Sequence, residues 1–312
     1  MDNFADRLLA AVGTKRTPCV IGLDPRIDDM PTFITDELAG RPTDEAIRAA
    51  IVAFHERVVS QVAHLVPAVK LQVAFYEQYG LPGMHAFVDT IAIARDAGLM
   101  VLVDAKRNDI DSTAEAYANA YLGSTPVFGR SRPGFDVDAV TVNAYLGRFT
   151  LKPFVDACLQ NGRGIFVLVR TSNEGSGDLQ ERRLGNVTVA ELVADMVNEI
   201  GQGVIGKSGY SSVGAVVGAT WPRQATSLRR RMPRAVILVP GYGSQGGTGA
   251  DTVANFNSDG LGAIINNSRS ATYAFGERTI APLEFDDWLS NTVNLMIADV
   301  RDSLASHHPG AD

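Results

Sequence analysis

Residues 101–111 read Val-Leu-Val-Asp-Ala-Lys-Arg-Asn-Asp-Ile-Asp. The apolar run from Leu99 to Asp104 is typical of a buried β-strand. Side chains alternate between the two faces of a strand, so Asp104 and Lys106 should point the same way. Asp109 follows three residues after Lys106, where the strand pattern has ended. Two carboxylates beside one ammonium group predict an ionised lysine that can protonate a carbanion, and a negative field that can destabilise an anionic substrate.

Seven further short runs of apolar and β-branched residues follow the same pattern, with amphipathic stretches between them. The predicted strands are Cys19–Leu23, Ala68–Gln72, Leu99–Asp104, Ala139–Val142, Gly164–Val169, Val213–Val217, Val236–Val239 and Gly262–Ile265. Helical patterns cover Thr43–His64, Met84–Ala97, Ser112–Leu122, Leu151–Gln160 and Thr188–Ile200. Alternating strands and helices imply parallel strands with crossover helices. Eight such units predict an α/β protein with a single (β/α)₈ barrel domain over residues 1–312, and a doubly wound sheet is the alternative.

The composition is that of a globular protein, since 46% of the residues are hydrophobic and 20% are charged. The net charge of −7 argues against bulk binding to nucleic acid, although a few local cations can still bind a small anion. No apolar run reaches membrane-spanning length and the N-terminus has no signal-peptide pattern, so we expect a soluble, cytoplasmic protein without a membrane partner. Cys19 and Cys158 lack metal-ligand spacing and predict buried, reduced thiols.

Three segments stand outside the alternating pattern. Residues 123–138 and 173–186 look like long loops, and loops of this length are often functional lids. The polar tail over residues 306–312 contains a His-His-Pro-Gly run and is expected to fray. The five histidines show no ligand spacing, so we expect no metal site.

Polar side chains stand at or just beyond the ends of the predicted strands: Asp24, Lys70, Asp104 with Lys106, Asn143, Thr171 with Ser172, Gln245 and Arg269. The carboxyl ends of the strands are where catalytic residues gather in a (β/α)₈ barrel. Each residue also has a structural explanation, because strand-end lysines snorkel and hydroxyls cap helices. The charged run alone is as typical of a structural ion-pair network as of an active site. An active site is favoured because every strand end would otherwise need its own explanation.

Two glycine-rich motifs match nucleotide-binding patterns. Residues 201–208 fit the P-loop pattern, but a helical pattern precedes them and a strand follows, which reverses the order that a P-loop needs. Residues 241–246 fit G-x-G-x-x-G, yet the next strand ends in two asparagines rather than the acidic residue of a dinucleotide site. Loops after the last two strands of a barrel frequently bind phosphate. Gln245, glycine amides and Arg269 are therefore predicted to hold one phosphomonoester, with the arginine as a bidentate clamp.

Together these residues resemble the orotidine 5′-phosphate decarboxylase family, in order along most of the chain. The run Gly22-Leu-Asp-Pro resembles the motif of the family's first strand, and Lys70 resembles the lysine of its second. Residues 104–110 are similar to its D-x-K-x-x-D signature, which some sister sugar-phosphate enzymes share. The run Thr171-Ser-Asn resembles the loop that reads the pyrimidine. Two further segments resemble the phosphate-binding loops: Pro240-Gly with Gln245-Gly-Gly, and Ser268-Arg-Ser.

The resemblance implies loss of CO₂ from orotidine 5′-phosphate to give UMP, the last step of de novo pyrimidine synthesis. It implies no metal and no organic cofactor, and a homodimer with sites at the subunit interface. Lys106 would stabilise the charge that develops at C6 of the pyrimidine and then protonate it. Asp104 would lie near the substrate carboxylate and hold Lys106, while Lys70 would link Asp104 to the ribose hydroxyls.

The resemblance also implies contacts for the rest of the substrate. Asp24 would bind a ribose hydroxyl, and Ser172 would hydrogen-bond the pyrimidine. Asp109 and Thr113 would reach across the dimer into the partner's site. Gln245 and Arg269 would hold the phosphate, within segments that also contain Pro240, Gly246 and Ser268. Asn143 and the two long loops resemble the longer bacterial subgroup of the family, and Asn143 is taken as a further substrate-binding residue.

Other functions stay open on the sequence alone. A sister enzyme, such as a keto-gulonate phosphate decarboxylase or a hexulose-phosphate synthase, would stabilise an enediolate with Mg²⁺. Lys70 and the loop around Ser172 suit a nucleotide better. A different class would be a non-catalytic nucleotide-binding protein, or an NTPase that uses residues 201–208.

Overall fold

The computed structural model describes residues 2–307. Within that range the strands are β1 Cys19–Gly22, β2 Ala68–Gln72, β3 Met100–Arg107, β4 Ser124–Val127, β5 Arg130–Pro133, β6 Ala139–Val142, β7 Gly164–Arg170, β8 Arg183–Leu184, β9 Val187–Thr188, β10 Ser211–Val217, β11 Ala235–Val239 and β12 Ala263–Asn267. Eight of them, β1, β2, β3, β6, β7, β10, β11 and β12, are parallel and close into a barrel in this order. The closed barrel confirms the predicted (β/α)₈ fold and excludes the doubly wound sheet, which is open.

The α-helices of the same range are α1 Phe4–Lys15, α2 Thr32–Thr35, α3 Thr43–Val62, α4 Ala74–Glu77, α5 Gly80–Asp96, α6 Asp111–Leu122, α7 Lys152–Asn161, α8 Gly177–Gln180, α9 Val189–Ile200, α10 Pro222–Arg231, α11 Gly249–Thr252, α12 Arg269–Thr272 and α13 Pro282–His307. Each helix predicted from the sequence is present, with ends shifted by a few residues. Over residues 2–307, no helix combines the length and the apolar character needed to cross a membrane.

The segments expected to be irregular contain regular structure. Residues 123–138 include an antiparallel hairpin of β4 and β5. Its two-residue turn, Phe128-Gly129, has positive φ at both positions, as a type I′ turn requires. Residues 173–186 include α8 and the first strand of the hairpin β8–β9. Ser306 and His307, expected to fray, belong to α13, and the rest of that tail lies outside the described residues.

Two apolar cores hold the strands in register. The larger core lies between the sheet and the surrounding helices, and the smaller one fills the barrel. Helix α1 closes the amino end of the barrel, where the ring of Phe4 meets Phe166 edge-on at 5.9 Å between centroids. On the same helix, Arg7 pairs with Asp138 at 2.7 Å, just before β6. With this end closed, the carboxyl ends of the strands are left to form a site.

A buried histidine connects α3 to the end of β1. The Nδ1 atom of His55 lies 3.1 Å from the Thr90 hydroxyl and 3.3 Å from that of Tyr76. The Tyr76 hydroxyl in turn donates to the carbonyl of Leu23 at 2.8 Å, directly before Asp24. Burial lowers the pKa of His55 to about 3, so this side chain is neutral at physiological pH.

His55 should make the fold less stable in acid. Its pKa is about 3 in the folded state and about 6.5 when unfolded, so the unfolded state binds more protons between these values. The contribution of neutral His55 to the free energy of unfolding is fully present above about pH 6.5. It decreases as the pH falls below this value, by up to about 1.4 kcal/mol per pH unit. The variant His55→Gln should lose this part of the pH dependence. Urea denaturation of both proteins from neutral to mildly acidic pH measures it, and equal slopes would contradict the assignment.

Candidate active site

The carboxyl ends of the barrel strands surround a cavity of about 600 Å³. This volume is in the usual range for a small-molecule site. The predicted site residues that line the cavity are Asp24, Lys70, Asp104, Lys106, Ser172, Pro240, Gln245, Ser268 and Arg269. They are distant in sequence but meet here because all the parallel strands end at one rim.

Asp104 is held between two lysines. Its Oδ1 atom is 2.7 Å from the ammonium nitrogen of Lys106, and its Oδ2 atom is 3.3 Å from that of Lys70. The Thr141 hydroxyl donates to Oδ1 at 2.7 Å, and the Gln72 amide donates to Oδ2 at 2.9 Å. Each carboxylate oxygen therefore has two donors, one of them a cation. Such charge-assisted hydrogen bonds are the strong ones in proteins.

The ion pairs keep Asp104 and Lys70 ionised although both side chains are largely buried. Burial of Asp104 alone would raise its pKa, but the charges of Lys70 and Lys106, with the hydrogen bonds, hold the pKa well below its ordinary value. Burial of Lys70 opposes its charge, yet Asp104 and Asp24 outweigh burial and raise its pKa. The site thus presents a fixed negative charge at neutral pH, even in a poorly solvated position.

The backbone of Lys106 is unusual. Its φ of +50° is rare for a residue with a side chain, and its N–H donates to the Thr141 hydroxyl at 2.9 Å. The register between β3 and β6 shifts between Val103 and Arg107, which is a bulge. Bulges re-aim side chains next to active sites. Lys106 pairs with Asp104 while its side chain stays 45% exposed toward the cavity.

Asp24 extends the charged cluster toward β1. Its carboxylate accepts the N–H of Gln72 at 3.2 Å, and its charge contributes to the raised pKa of Lys70. The side chains of Asp24, Lys70, Asp104 and Lys106 therefore form a cluster in which acidic and basic groups alternate. Over the described part of the chain, no group of three or more His, Cys, Asp or Glu side chains is arranged to hold a metal ion.

The loops after β11 and β12 form another part of the cavity wall. The loop after β11 folds back on itself, because the N–H of Gly243 donates to the carbonyl of Gly247 at 2.9 Å and the N–H of Gly247 to that of Gly241 at 3.1 Å. Gly241 and Gly243 have positive φ values, which glycine adopts at no steric cost. Arg269 follows β12 at the start of α12 and lines the same cavity. The two segments predicted from the sequence to bind phosphate therefore meet at one wall of the cavity.

Ser172 lies where the loop after β7 meets the loop after β11. A Cβ atom on Gly241 would be 3.3 Å from the Cβ of Ser172 and 3.0 Å from the amide oxygen of Gln245. The residue before Ser172 is fixed by Trp221, whose indole nitrogen donates to the Thr171 carbonyl at 2.9 Å. Ser172 therefore lines the same cavity as the charged cluster and as Gln245 and Arg269.

Asp109 and Thr113 lie outside the cavity of their own subunit. Asp109 is half-buried, and its carboxylate accepts the N–H of Ile110 at 2.8 Å. Thr113 is exposed on the first turn of α6. Neither residue is among those that line the cavity, so the structure does not bring them into the site of their own subunit.

Asn143 and Gly246 also lie outside the cavity. The side-chain oxygen of Asn143 accepts from Asn108 at 3.0 Å, and its nitrogen approaches the Lys106 carbonyl at 3.4 Å. Asn143 thus supports the backbone of the bulge. Gly246 lies at the turn of the loop after β11, where its φ is +86°.

The cavity residues that carry no site prediction from the sequence include Gln72, Thr141 and Gln180. Gln72 follows Lys70 by two positions on β2, so strand alternation was a signal that could have placed it on the same face. Thr141 reads as an ordinary β-branched strand residue and gives no such signal. Gln180 approaches the cavity only because the segment 173–186 folds back over the end of β7.

The P-loop match at residues 201–208 binds a carboxylate of its own chain. The backbone N–H groups of Lys207 and Ser208 donate to the two oxygens of Asp6 at 2.8 and 2.7 Å. Asp6 lies on α1, at the amino end of the barrel and away from the cavity. The motif is therefore a helix-to-strand connector that is already occupied by an internal anion.

The closed barrel and its charged cavity define the chain as a (β/α)₈-barrel enzyme. It belongs to the orotidine 5′-phosphate decarboxylase / HUMPS family, whose profile matches residues 29–278. This match confirms the resemblance found in the sequence.

Similarity to individual proteins extends over nearly the whole chain. A Rhodopirellula baltica protein named orotidine 5′-phosphate decarboxylase is 44% identical over 274 residues, covering 88% of this chain and 89% of that protein. A Caldicellulosiruptor saccharolyticus protein of the same name is 38% identical over 293 residues, covering 93% and 96%. The solved structure of Leishmania donovani OMP decarboxylase has a TM-score of 0.73 and 28% identity, covering 97% of this chain and 99% of that one.

Removal of Lys70 should destabilise the fold, because Asp104 would then be a buried carboxylate with incomplete pairing. The variant Lys70→Met leaves Asp104 with one cation fewer, and we expect the free energy of unfolding to fall by about 3 kcal/mol at neutral pH. Adding Asp104→Asn should recover part of this loss because the poorly paired charge is then gone. Urea denaturation of the single and double variants measures both effects. A Lys70→Met protein as stable as the unchanged one would show that Asp104 does not depend on this ion pair.

Proposed function

We propose that this protein decarboxylates orotidine 5′-phosphate to UMP, the last step of de novo pyrimidine synthesis. The observation that carries the proposal is Asp104 held between Lys70 and Lys106 at the carboxyl end of the barrel. Membership of the family and the names of its relatives support it. The proposed reaction needs no metal and no organic cofactor, because fixed charges act directly on the reacting carbon.

Lys106 is the proposed proton donor. The bond between C6 and the carboxylate breaks, CO₂ leaves, and the electron pair stays on C6. The ammonium group of Lys106 stabilises this developing charge and then gives its proton to C6, which yields UMP. Exposure of Lys106 toward the cavity supports this role, since its amine can regain a proton from water after product release.

Asp104 and Lys70 are proposed to set the electrostatics of this step. Asp104 fixes the position of Lys106 at 2.7 Å and places a negative charge beside the substrate carboxylate. As that carboxylate becomes neutral CO₂, the repulsion disappears, so the transition state is favoured over the bound substrate. Lys70 keeps Asp104 ionised, and together with Asp24 it is proposed to bind the ribose hydroxyls.

The remote parts of the substrate are proposed to supply binding energy. Arg269 and Gln245 bind the phosphate, in segments that include Pro240, Gly246 and Ser268, and Ser172 hydrogen-bonds the pyrimidine. Contacts far from the reacting bond can organise a site around it. The glycine loop, with its tight internal hydrogen bonds, supports this assignment because it leaves little conformational freedom to lose on binding.

A homodimer is proposed, with Asp109 and Thr113 completing the partner's site. The surface around Asp109 carries large exposed apolar side chains, namely Ile110, Tyr145, Leu146 and Phe149. Apolar and aromatic residues on a surface are typical of protein–protein interfaces. Asn143 is proposed to act through the Lys106 backbone. The two buried, free cysteines fit the proposed cytoplasmic location.

The family also contains sugar-phosphate enzymes of the kind that would stabilise an enediolate with Mg²⁺. Metal dependence therefore distinguishes such an activity from the proposed decarboxylation of orotidine 5′-phosphate. We expect full loss of orotidine 5′-phosphate absorbance, with UMP as product, in excess EDTA. The buried ammonium of Lys70 supports this expectation because it already pairs with one oxygen of Asp104, leaving this carboxylate poorly placed to bind a divalent cation. Activity that vanishes in EDTA and returns with Mg²⁺ would reject the proposal. Tight UMP binding without turnover would instead indicate a nucleotide-binding protein.

The shared site predicts complementation between inactive subunits. Lys106→Ala and Asp109→Ala proteins should each be inactive, because each lacks one part of every site. Refolded mixtures should regain up to about a quarter of the unchanged activity, since random pairing makes about half of the dimers hybrids with one intact site. The control is Asp111→Ala in place of Asp109→Ala, which should be active without mixing. Mixtures with no regained activity, despite hybrid dimers seen by native mass spectrometry, would refute the shared site.

A further inference from the structure

Arg170, the last residue of β7, anchors the segment 173–186 to the barrel. Its side chain is 1% exposed. Its guanidinium donates to the hydroxyl of Ser176 and, at 2.7 Å, to the carboxylate of Glu181. The guanidinium carbon also lies 4.0 Å from the centroid of the Trp221 ring, within the range of a cation–π interaction. Because the planar guanidinium has fixed donor directions, these contacts hold the segment in one position.

Gln180, at the end of α8, is the point where this segment meets the active site. Its amide oxygen accepts the N–H of Thr171 at 2.9 Å, and its amide nitrogen donates to the Thr171 hydroxyl at 2.8 Å. Trp221 binds the Thr171 carbonyl from another side, at 2.9 Å. Gln180 and Trp221 thus hold the N–H, hydroxyl and carbonyl of Thr171, and the hydroxyl also donates to Asn173 at 2.7 Å. Ser172 is the next residue, so this arrangement also sets the direction of its side chain.

Hydrogen bonds rather than packing keep Gln180 in place. It lines the active-site cavity on one side and a second cavity of about 290 Å³ on the other. The second cavity is also lined by Arg170, Glu181 and Gln224. Besides Thr171, the amide oxygen of Gln180 has Arg170 as a donor at 3.3 Å. A side chain with open space on both sides has a defined position only while these polar contacts persist.

We propose that Gln180 is a positioning residue for base recognition, which fixes Ser172 through Thr171. This inference rests on the proposed function, in which Ser172 hydrogen-bonds the pyrimidine. The phosphate is assigned to different loops, after β11 and β12. Loss of the Gln180 amide should therefore weaken recognition of the base and leave recognition of the ribose phosphate unchanged.

The test compares UMP with ribose 5-phosphate, which lacks the base, by calorimetric titration. UMP is used because it has no C6 carboxylate and so avoids repulsion by Asp104. In Gln180→Met, which keeps the length of the side chain but removes its amide, the Kd of UMP should rise about tenfold, the scale of one lost hydrogen bond. The Kd of ribose 5-phosphate should change by less than about twofold.

Two further variants control for local disruption. Gln224 also lines the second cavity, and its amide nitrogen donates to the Glu181 carboxylate at 3.3 Å. The variant Gln224→Met removes this contact and should leave both Kd values unchanged. Gln180→Glu should restore UMP affinity, because a carboxylate still accepts from the N–H of Thr171, and the Thr171 hydroxyl, which donates to Asn173 at 2.7 Å, can turn to donate to it. The proposal is overturned if folded Gln180→Met binds UMP normally, or if both ligands weaken equally. It is also overturned if Gln180→Glu binds UMP as poorly as Gln180→Met. An unchanged protein that binds neither ligand would instead refute the proposed function.

Discussion

The site depends on the pairing of one nearly buried carboxylate, Asp104, with the ammonium groups of Lys70 and Lys106. A buried charge is costly unless it is paired and hydrogen-bonded, so every donor around Asp104 must be in place at once. Those donors come from three neighbouring strands: β2 supplies Lys70 and Gln72, β3 supplies Lys106, and β6 supplies Thr141. The cluster therefore exists only if the three strands end at the same level.

The fold meets this requirement through strand register and a local bulge. Gln72 pairs in register with Asp104 across β2 and β3, which brings Lys70 to the Oδ2 side of the carboxylate. On the other side, the bulge at Lys106 turns its side chain back over Asp104. The two apolar cores and the closing helix α1 hold this register from below. The charged rim is thus stabilised by the burial of apolar side chains elsewhere in the barrel.

The fold and most of the charged side chains of the cavity could be predicted from the sequence, and particular residues show why. Eight apolar runs have the period of buried strands, and polar residues at their ends had to meet at one rim once the barrel closed. What the sequence could not give was backbone geometry. No residue type near Lys106 in the sequence indicates a positive φ. Thr141 is typical of a strand residue that packs in the core, and its contact with Asp104 follows only from the pairing of β6 with β3. Gln180 becomes a cavity residue only through tertiary contacts of Arg170. The proposal that Asp109 and Thr113 act across subunits rests on the family resemblance and on their position outside the cavity.

The central claim, that Lys106 protonates the reacting carbon, is tested most directly by Lys106→Ala. The account predicts that orotidine 5′-phosphate turnover falls by about 10⁴-fold or more, because both charge stabilisation and proton transfer are lost. The same protein should keep its fold and still bind UMP, since Ser172 and the loops proposed to bind the phosphate are unchanged. A folded Lys106→Ala protein that retains substantial turnover would contradict the account.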